Sequence, residues 1–210
     1  MKKPRWKIPF FGLALMLGVV LGATLLVSYP TVWNPMHRYV MEDKIAEQNV
    51  TSEQLEAVFS DAENISGGLW NETPYQEITD DLKFRRLNAK EVSHYEDVRE
   101  LMNLAKIVTA SCLGLALFGF IIVGWRNVLR AGFASFVLLG VIFGTWMLIN
   151  WHSLFKSLHW IVFQDASWKL PNGSYSLGLF PHEMWQFTGG MIGGIVGIVL
   201  VAGFILSRRK

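Results

Sequence analysis

The sequence predicts an all-α integral membrane protein: four transmembrane helices with a small extracytoplasmic cap, mixed or helical, between the first two. Three observations predict it. About half of the 210 residues (51 %) are hydrophobic, with 9 Trp and 14 Phe. This apolar content is concentrated in the runs Ile8–Val27, Ile107–Gly124, Ala131–Trp151 and Phe187–Leu206, none of which holds Asp, Glu, Lys, Arg or His. Crossing the ~30 Å hydrocarbon core takes about 20 apolar residues, so each run is long enough or nearly so. The third observation is how charge is sorted between the connections.

Residues 1–7 form a basic tail with Lys2, Lys3, Arg5 and Lys7, and the first span covers 8–29. Its long apolar run is followed by no A-x-A site, so a retained signal anchor is expected rather than a cleaved leader. A second span over 101–125 leads into a turn, 126–130, that carries Arg126 and Arg130. The third span, 131–151, is followed by an aromatic loop, 152–185. The fourth span, 186–206, ends in a tail, 207–210, with Arg208, Arg209 and Lys210. All 17 acids and all five histidines lie in the two remaining connections. The positive-inside rule then puts both termini in the cytoplasm of a cell-membrane protein, and any chemistry outside.

The segment 30–100 is polar enough to form the cap. Asn34-Pro35 suits an N-cap with proline at the first helical position, for a helix to about Gln48. "TSEQ" at 51–54 has capping-box spacing, as do Asn88 and Glu91. The second of these predicts a helix running unbroken into the second span. "YQEIT" (75–79) and "LKFRRL" (82–87) suit short strands by weak alternation, between the loop chemistry of "SGGLW" and "NETP". In the loop 152–185, Phe155, Leu158, Ile161 and Val162 keep helical spacing, as an interfacial amphipathic helix would. Within the spans, Gly18/Gly22, Gly140/Gly144, Gly189/Gly193/Gly197 and Gly190/Gly194 repeat at four residues, the spacing of close helix packing or of room for an acyl chain.

Several function classes lose support here. The spans lack the ionisable groups that transporters and pumps place at membrane depth. No phosphate-cradling glycine loop, HExxH or G-x-S-x-G occurs. The single cysteine, Cys112, sits in the second span, where an apolar setting disfavours a thiolate. His152, His159 and His182-Glu183 fit no standard metal spacing. Neither a metal nor a cofactor nor a nucleic acid is expected. What remains is a set of extracytoplasmic histidines and acids. His94 has Glu91 and Asp97 three residues to either side, on one helix face, where a carboxylate can fix a tautomer. The same acids suit a helix cap and a solvated face equally well. His159 lies between Leu158 and Trp160, with Asp165 further on.

"EVSHYEDV" (91–98) ahead of a membrane helix, with "HWIVFQDASW" (159–168) between the third and fourth spans, resembles the lipoprotein intramolecular transacylase family of Gram-positive bacteria. Glu91, His94, Asp97 and Val98 match its first motif; His159, Phe163, Asp165 and Trp168 are similar to its second. Tyr95 stands where the family pattern has Met. The resemblance implies an enzyme that moves the sn-2 acyl chain of a diacylglyceryl-cysteine lipoprotein to that cysteine's own α-amine. It implies His94 and His159 as the catalytic pair, base and acid unassigned. Glu91, Asp97 or Asp165 would orient them, and Phe163 and Trp168 would shape the pocket. The partners would be a diacylated lipoprotein substrate and membrane lipids. The rival reading is a membrane protein that binds lipid or lipoprotein without chemistry.

Overall fold

The computed structural model describes residues 6–46, 51–163 and 167–209. Among them there is no strand. The helices are α1 (Lys7–Val27), α2 (Pro30–Ala46), α3 (Ser52–Gly68), α4 (Tyr75–Asp81), α5 (Ala89–Gly119), α6 (Trp125–Val162), α7 (Tyr175–Leu179) and α8 (His182–Arg208), with a π-helical segment, Phe120–Gly124, between α5 and α6. Among the described residues, three stretches are long and apolar enough to cross a membrane: Lys7–Val27, Ala89–Val162 and His182–Arg208. The middle one, 74 residues long, turns at Gly124, whose φ of +90° is the left-handed region that glycine enters without strain.

The chain divides into two compact units: Met1–Thr24, Leu104–Val162 and Met191–Lys210 form one, Leu25–Asn103 and Phe163–Gly190 the other. In the first unit, α1 runs antiparallel to α5. Phe11 packs on Phe118 and Gly119, and Gly18 meets Leu113 further along. α6 and α8 are likewise antiparallel, with Phe133 stacked on Phe204 at 4.5 Å and Arg130 Nη2 donating to the Ser207 carbonyl at 2.9 Å. The core is made of Phe11, Leu15, Met16, Ala23, Ala116, Val123, Val128, Val196 and Leu200.

The glycines divide unevenly. A methyl on Gly12 would come within 2.3 Å of the Ala131 Cβ, so α1 and α6 touch almost backbone to backbone there. Gly18 is less tight, 2.8 Å from the Leu113 side chain, Gly22 and Gly197 have ordinary contacts at 3.7 Å, and Gly140, Gly144, Gly190, Gly193 and Gly194 meet no other helix among the described residues. Of these repeat positions, Gly18 on α1 alone is crowded. In a crowded position a side chain costs more than the helix propensity it adds. Gly12→Ala is therefore expected to destabilise the protein by about 1–3 kcal/mol, and Gly193→Ala to be neutral. Thermal unfolding of both variants in detergent checks this; equal melting temperatures would refute the close approach.

The second unit departs from expectation at two places. α2 begins at Pro30, not at Asn34, because Pro30 also fits the first helical turn and the Tyr29 carbonyl takes the Trp33 N–H at 2.9 Å. Pro35 then lies inside the helix; Gln48 lies outside the described residues. Tyr75–Thr79 is helical rather than extended: Tyr75, Ile78 and Thr79, at i, i+3 and i+4, are buried on one face. Residues 82–87 form an irregular connection. Both capping boxes form as spaced, with Thr51 and Gln54 bonded reciprocally, and Asn88 and Glu91 likewise.

Candidate active site

α5 carries "EVSHYEDV" on its first turns. The Asn88 Oδ1 accepts the Lys90 and Glu91 N–H groups, and the Glu91 Oε2 accepts the Asn88 N–H at 2.8 Å. Glu91 does more than cap. Only 1 % exposed, it turns its Oε1 to the start of α7, where the Ser176 N–H donates at 2.7 Å and the Ser176 hydroxyl at 2.8 Å. Both carboxylate oxygens are therefore engaged by groups other than an imidazole, and Glu91 is a brace between α5 and α7.

His94 follows one turn later and is half-buried. The Phe163 ring stands edge-on to the imidazole with centroids 5.3 Å apart. Tyr95 stacks on Tyr75 at 5.2 Å and meets the edge of Phe180. Asp97 is half-buried, and its Oδ2 is shielded from solvent with no hydrogen-bond donor among the described residues.

His159 lies on a separate piece of helix. α6 breaks at Asn150, whose φ of −153° and ψ of 77° are not helical. The Asn150 Oδ1 accepts the Ser153 N–H at 2.9 Å, so residues after 150 start as a newly capped helix. Leu154 is buried, while Trp160, Ile161 and Val162 are exposed. His159 Nδ1 donates to the Phe155 carbonyl at 2.8 Å, one turn back, with the Phe155 ring 3.9 Å from the imidazole. A carbonyl can only accept, so the neutral ring has its proton on Nδ1 and its basic lone pair on Nε2.

Trp168 is half-buried under the Lys169 ammonium, 5.4 Å from its ring. Asp165 lies outside the described residues. No three His, Cys, Asp or Glu side chains gather at metal-binding range among the described residues. The structure thus joins His94 to Phe163 and Glu91 to Ser176, and it holds His159 in its own helix through Phe155.

Three residues outside the expected set hold this surface together. Asp61 is fully buried on α3, accepting the Lys83, Phe84 and Arg85 N–H groups at 2.7, 2.9 and 3.4 Å and the Tyr175 hydroxyl at 3.0 Å. Burial, then the Asp61 charge, push Tyr175 well above the usual phenol range, so it stays a donor. The sequence carried a signal: Asp61 stands in the apolar stripe of Val58, Ala62 and Ile65, where a lone acid must find internal partners.

His37, 2 % exposed, donates from Nε2 to the Leu179 carbonyl at 2.7 Å between the rings of Phe59 and Phe180. Burial lowers its pKa, with Arg38 acting the same way; the Leu179 carbonyl and the Glu63 carboxylate oppose them. The folded state therefore holds the neutral form. Stability is full above the unfolded value of about 6.5 and falls as the pH drops below it, because the unfolded chain then binds more protons. The melting temperature is expected to decline below about pH 6.5, and His37→Gln to flatten that decline. Identical pH slopes for the two proteins would contradict it.

All-α, with long apolar helices fit to cross a bilayer, the chain is of the class of membrane-integral helical proteins. The family model described as "Lipoprotein intramolecular transacylase Lit" matches residues 10–185, and the chain belongs to that family. It is accordingly an acyltransferase acting on lipoproteins in a membrane. The fold is similar to that of the membrane integral lipoprotein intramolecular transacylase Lit from Bacillus cereus, at 14 % identity and a TM-score of 0.77, covering 97 % of this chain and 94 % of that one. A form of the same protein with a histidine-to-alanine substitution superposes at a TM-score of 0.74, 13 % identity and 97 % and 91 % coverage. A histidine-to-arginine form gives 0.70, 12 % identity and 97 % and 90 % coverage. No curated protein matches by sequence.

Proposed function

We propose that this chain moves the sn-2 acyl chain of a diacylglyceryl-cysteine lipoprotein to the α-amine of that same cysteine. The α-amine nitrogen attacks the ester carbonyl, a C–N bond forms, the glyceryl C–O bond breaks, and an amide and a free glycerol hydroxyl result. The attacking ammonium must first lose a proton, and the departing alkoxide must gain one. His94 and His159 are the base and acid of this cycle, since an imidazole titrates near neutral pH and serves in either role. The substrate supplies its own nucleophile, so no serine or cysteine of the protein is required. Glu91, Asp97 and Asp165 are the supporting acids, and Phe163 and Trp168 are pocket walls. In this reading the 74-residue stretch crosses twice, making four spans. The basic ends, with both termini, face the cytoplasm, and residues 30–100 and 152–185 face outward as cap and interfacial loop.

The observation that carries the proposal is the family match over residues 10–185, which includes both motif stretches. Supporting it are the clustering of every acid and histidine in the two outward connections and the tautomer that the Phe155 carbonyl fixes at His159, with its proton on Nδ1. The test is incubation of the detergent-solubilised protein with a diacylglyceryl-cysteine peptide, followed by fragmentation in a mass spectrometer, since total mass does not change. An acyl chain on the α-amine supports the proposal. A chain that stays on glycerol with folded, membrane-derived protein refutes it in favour of lipid binding without chemistry.

A further inference from the structure

α7 has five residues, far too few for a helix that stands alone. Side chains from three other helices hold it. Asp61 on α3 takes the Tyr175 hydroxyl, Glu91 on α5 takes both donors of Ser176, and His37 on α2 holds the Leu179 carbonyl. Its last cap, Phe180, meets the Tyr95 ring. α7 therefore grips α5 at Glu91 and at Tyr95, the residues one turn before and one place after His94. The two carboxylates are 0 % and 1 % exposed, and burying them is costly unless every oxygen is matched. An apolar contact would fix α7 less specifically: a carboxylate with four donors accepts one geometry.

We propose that Asp61, acting through Tyr175, is a positioning residue that sets how His94 is held. The path is short. Asp61 seats Tyr175, the neighbouring Ser176 is thereby presented to Glu91, and Glu91 fixes the turn of α5 that bears the imidazole. The same unit brings Phe163 against the ring. Asp61 itself touches neither His94 nor any reacting atom; its influence is on where the imidazole sits. The kinetic part of the proposal rests on the catalytic role given to His94 above, and the positional part does not.

The experiment uses the full chain in detergent. Tyr175→Phe removes one hydroxyl and keeps the ring; Asp61→Asn keeps the shape and one acceptor. Glu56→Ala is the control, since it breaks the exposed ion pair with Arg38 and hydrogen-bonds none of the α7 anchors. Each is read in three ways: the carbethoxylation rate of His94 by diethyl pyrocarbonate, located by mass spectrometry; the transfer rate on a synthetic diacylglyceryl-cysteine peptide; and the melting temperature. Tyr175→Phe is expected to change the His94 labelling rate several-fold and to lower kcat about tenfold, at temperatures where it is fully folded. KM should stay within about twofold, as for a displaced catalytic group rather than a lost binding contact. Glu56→Ala should leave labelling and kcat unchanged whatever its melting temperature. Should Tyr175→Phe not fold, Asp61→Asn is read in its place by the same criteria. Wild-type labelling and kcat together with a lowered melting temperature would make Asp61 merely structural and overturn the proposal. If wild-type protein transfers no acyl chain, the acyl-transfer reading fails on its own, and the His94 labelling rate still decides whether Asp61 positions that ring.

Discussion

His94→Ala is expected to lower the rate of acyl transfer by about 10²–10⁴-fold, and His159→Ala by a similar factor, the usual worth of one positioned acid or base. The two losses should not multiply. Once either proton relay is gone, the remaining imidazole assists only half of a concerted exchange, so the double variant falls little below the worse single one. KM for the lipopeptide should hardly move, because the acyl chains and not the imidazoles supply the binding area. Single-turnover kinetics with location of the acyl chain by fragmentation measure this. A His159→Ala protein with wild-type turnover would remove that residue from the chemistry, and the Phe155 bond would then be only a helix contact.

The second large effect concerns stability. Glu91→Ala would strip the Ser176 N–H, the Ser176 hydroxyl and the Asn88 N–H of their acceptor at a site with 1 % exposure. Each buried donor left unmatched costs about 1–3 kcal/mol, so a loss of about 3 kcal/mol or more is expected. That is a large share of the 5–15 kcal/mol typical of a whole domain. Glu91→Gln should fall between the two, since its amide keeps one accepting oxygen but turns an N–H₂ toward another donor. Thermal unfolding of the three proteins orders them; Glu91→Ala as stable as wild type would mean that the carboxylate is dispensable as a brace.

Much of the framework could be read before any coordinates, because it is written in local or strongly apolar signals. The long apolar runs, the capping boxes at Thr51 and Asn88, and the helix through His94 each depend on residues at most a few positions apart. Where two local signals competed, the reading slipped: Pro30 and Pro35 both suit a first turn, and the earlier one opens α2. Asp61 escaped because its partners lie 22 to 24 and 114 residues away, and spacing along a chain carries no record of such pairs. The glycine repeats misled for a related reason. A four-residue period says that a face is small, and only the fold says whether a neighbour fills it, as at Gly18, or none does, as at Gly193. Of the residues in the two motif stretches, His94 and Phe163 are in contact, and Glu91 also anchors Ser176, which its spacing from His94 did not indicate.

The break at Asn150 has a consequence for how this chain tolerates change. In an unbroken helix, one inserted residue turns everything downstream by about 100°. A span whose length drifted to suit a thicker or thinner bilayer would swing His159 round to a different direction. Because Asn150 leaves the helical path and caps the next segment itself, rotation accumulated along residues 131–149 can be absorbed at one joint. The histidine helix keeps its own reference point, so insertions and deletions in the span and the orientation of His159 can evolve separately.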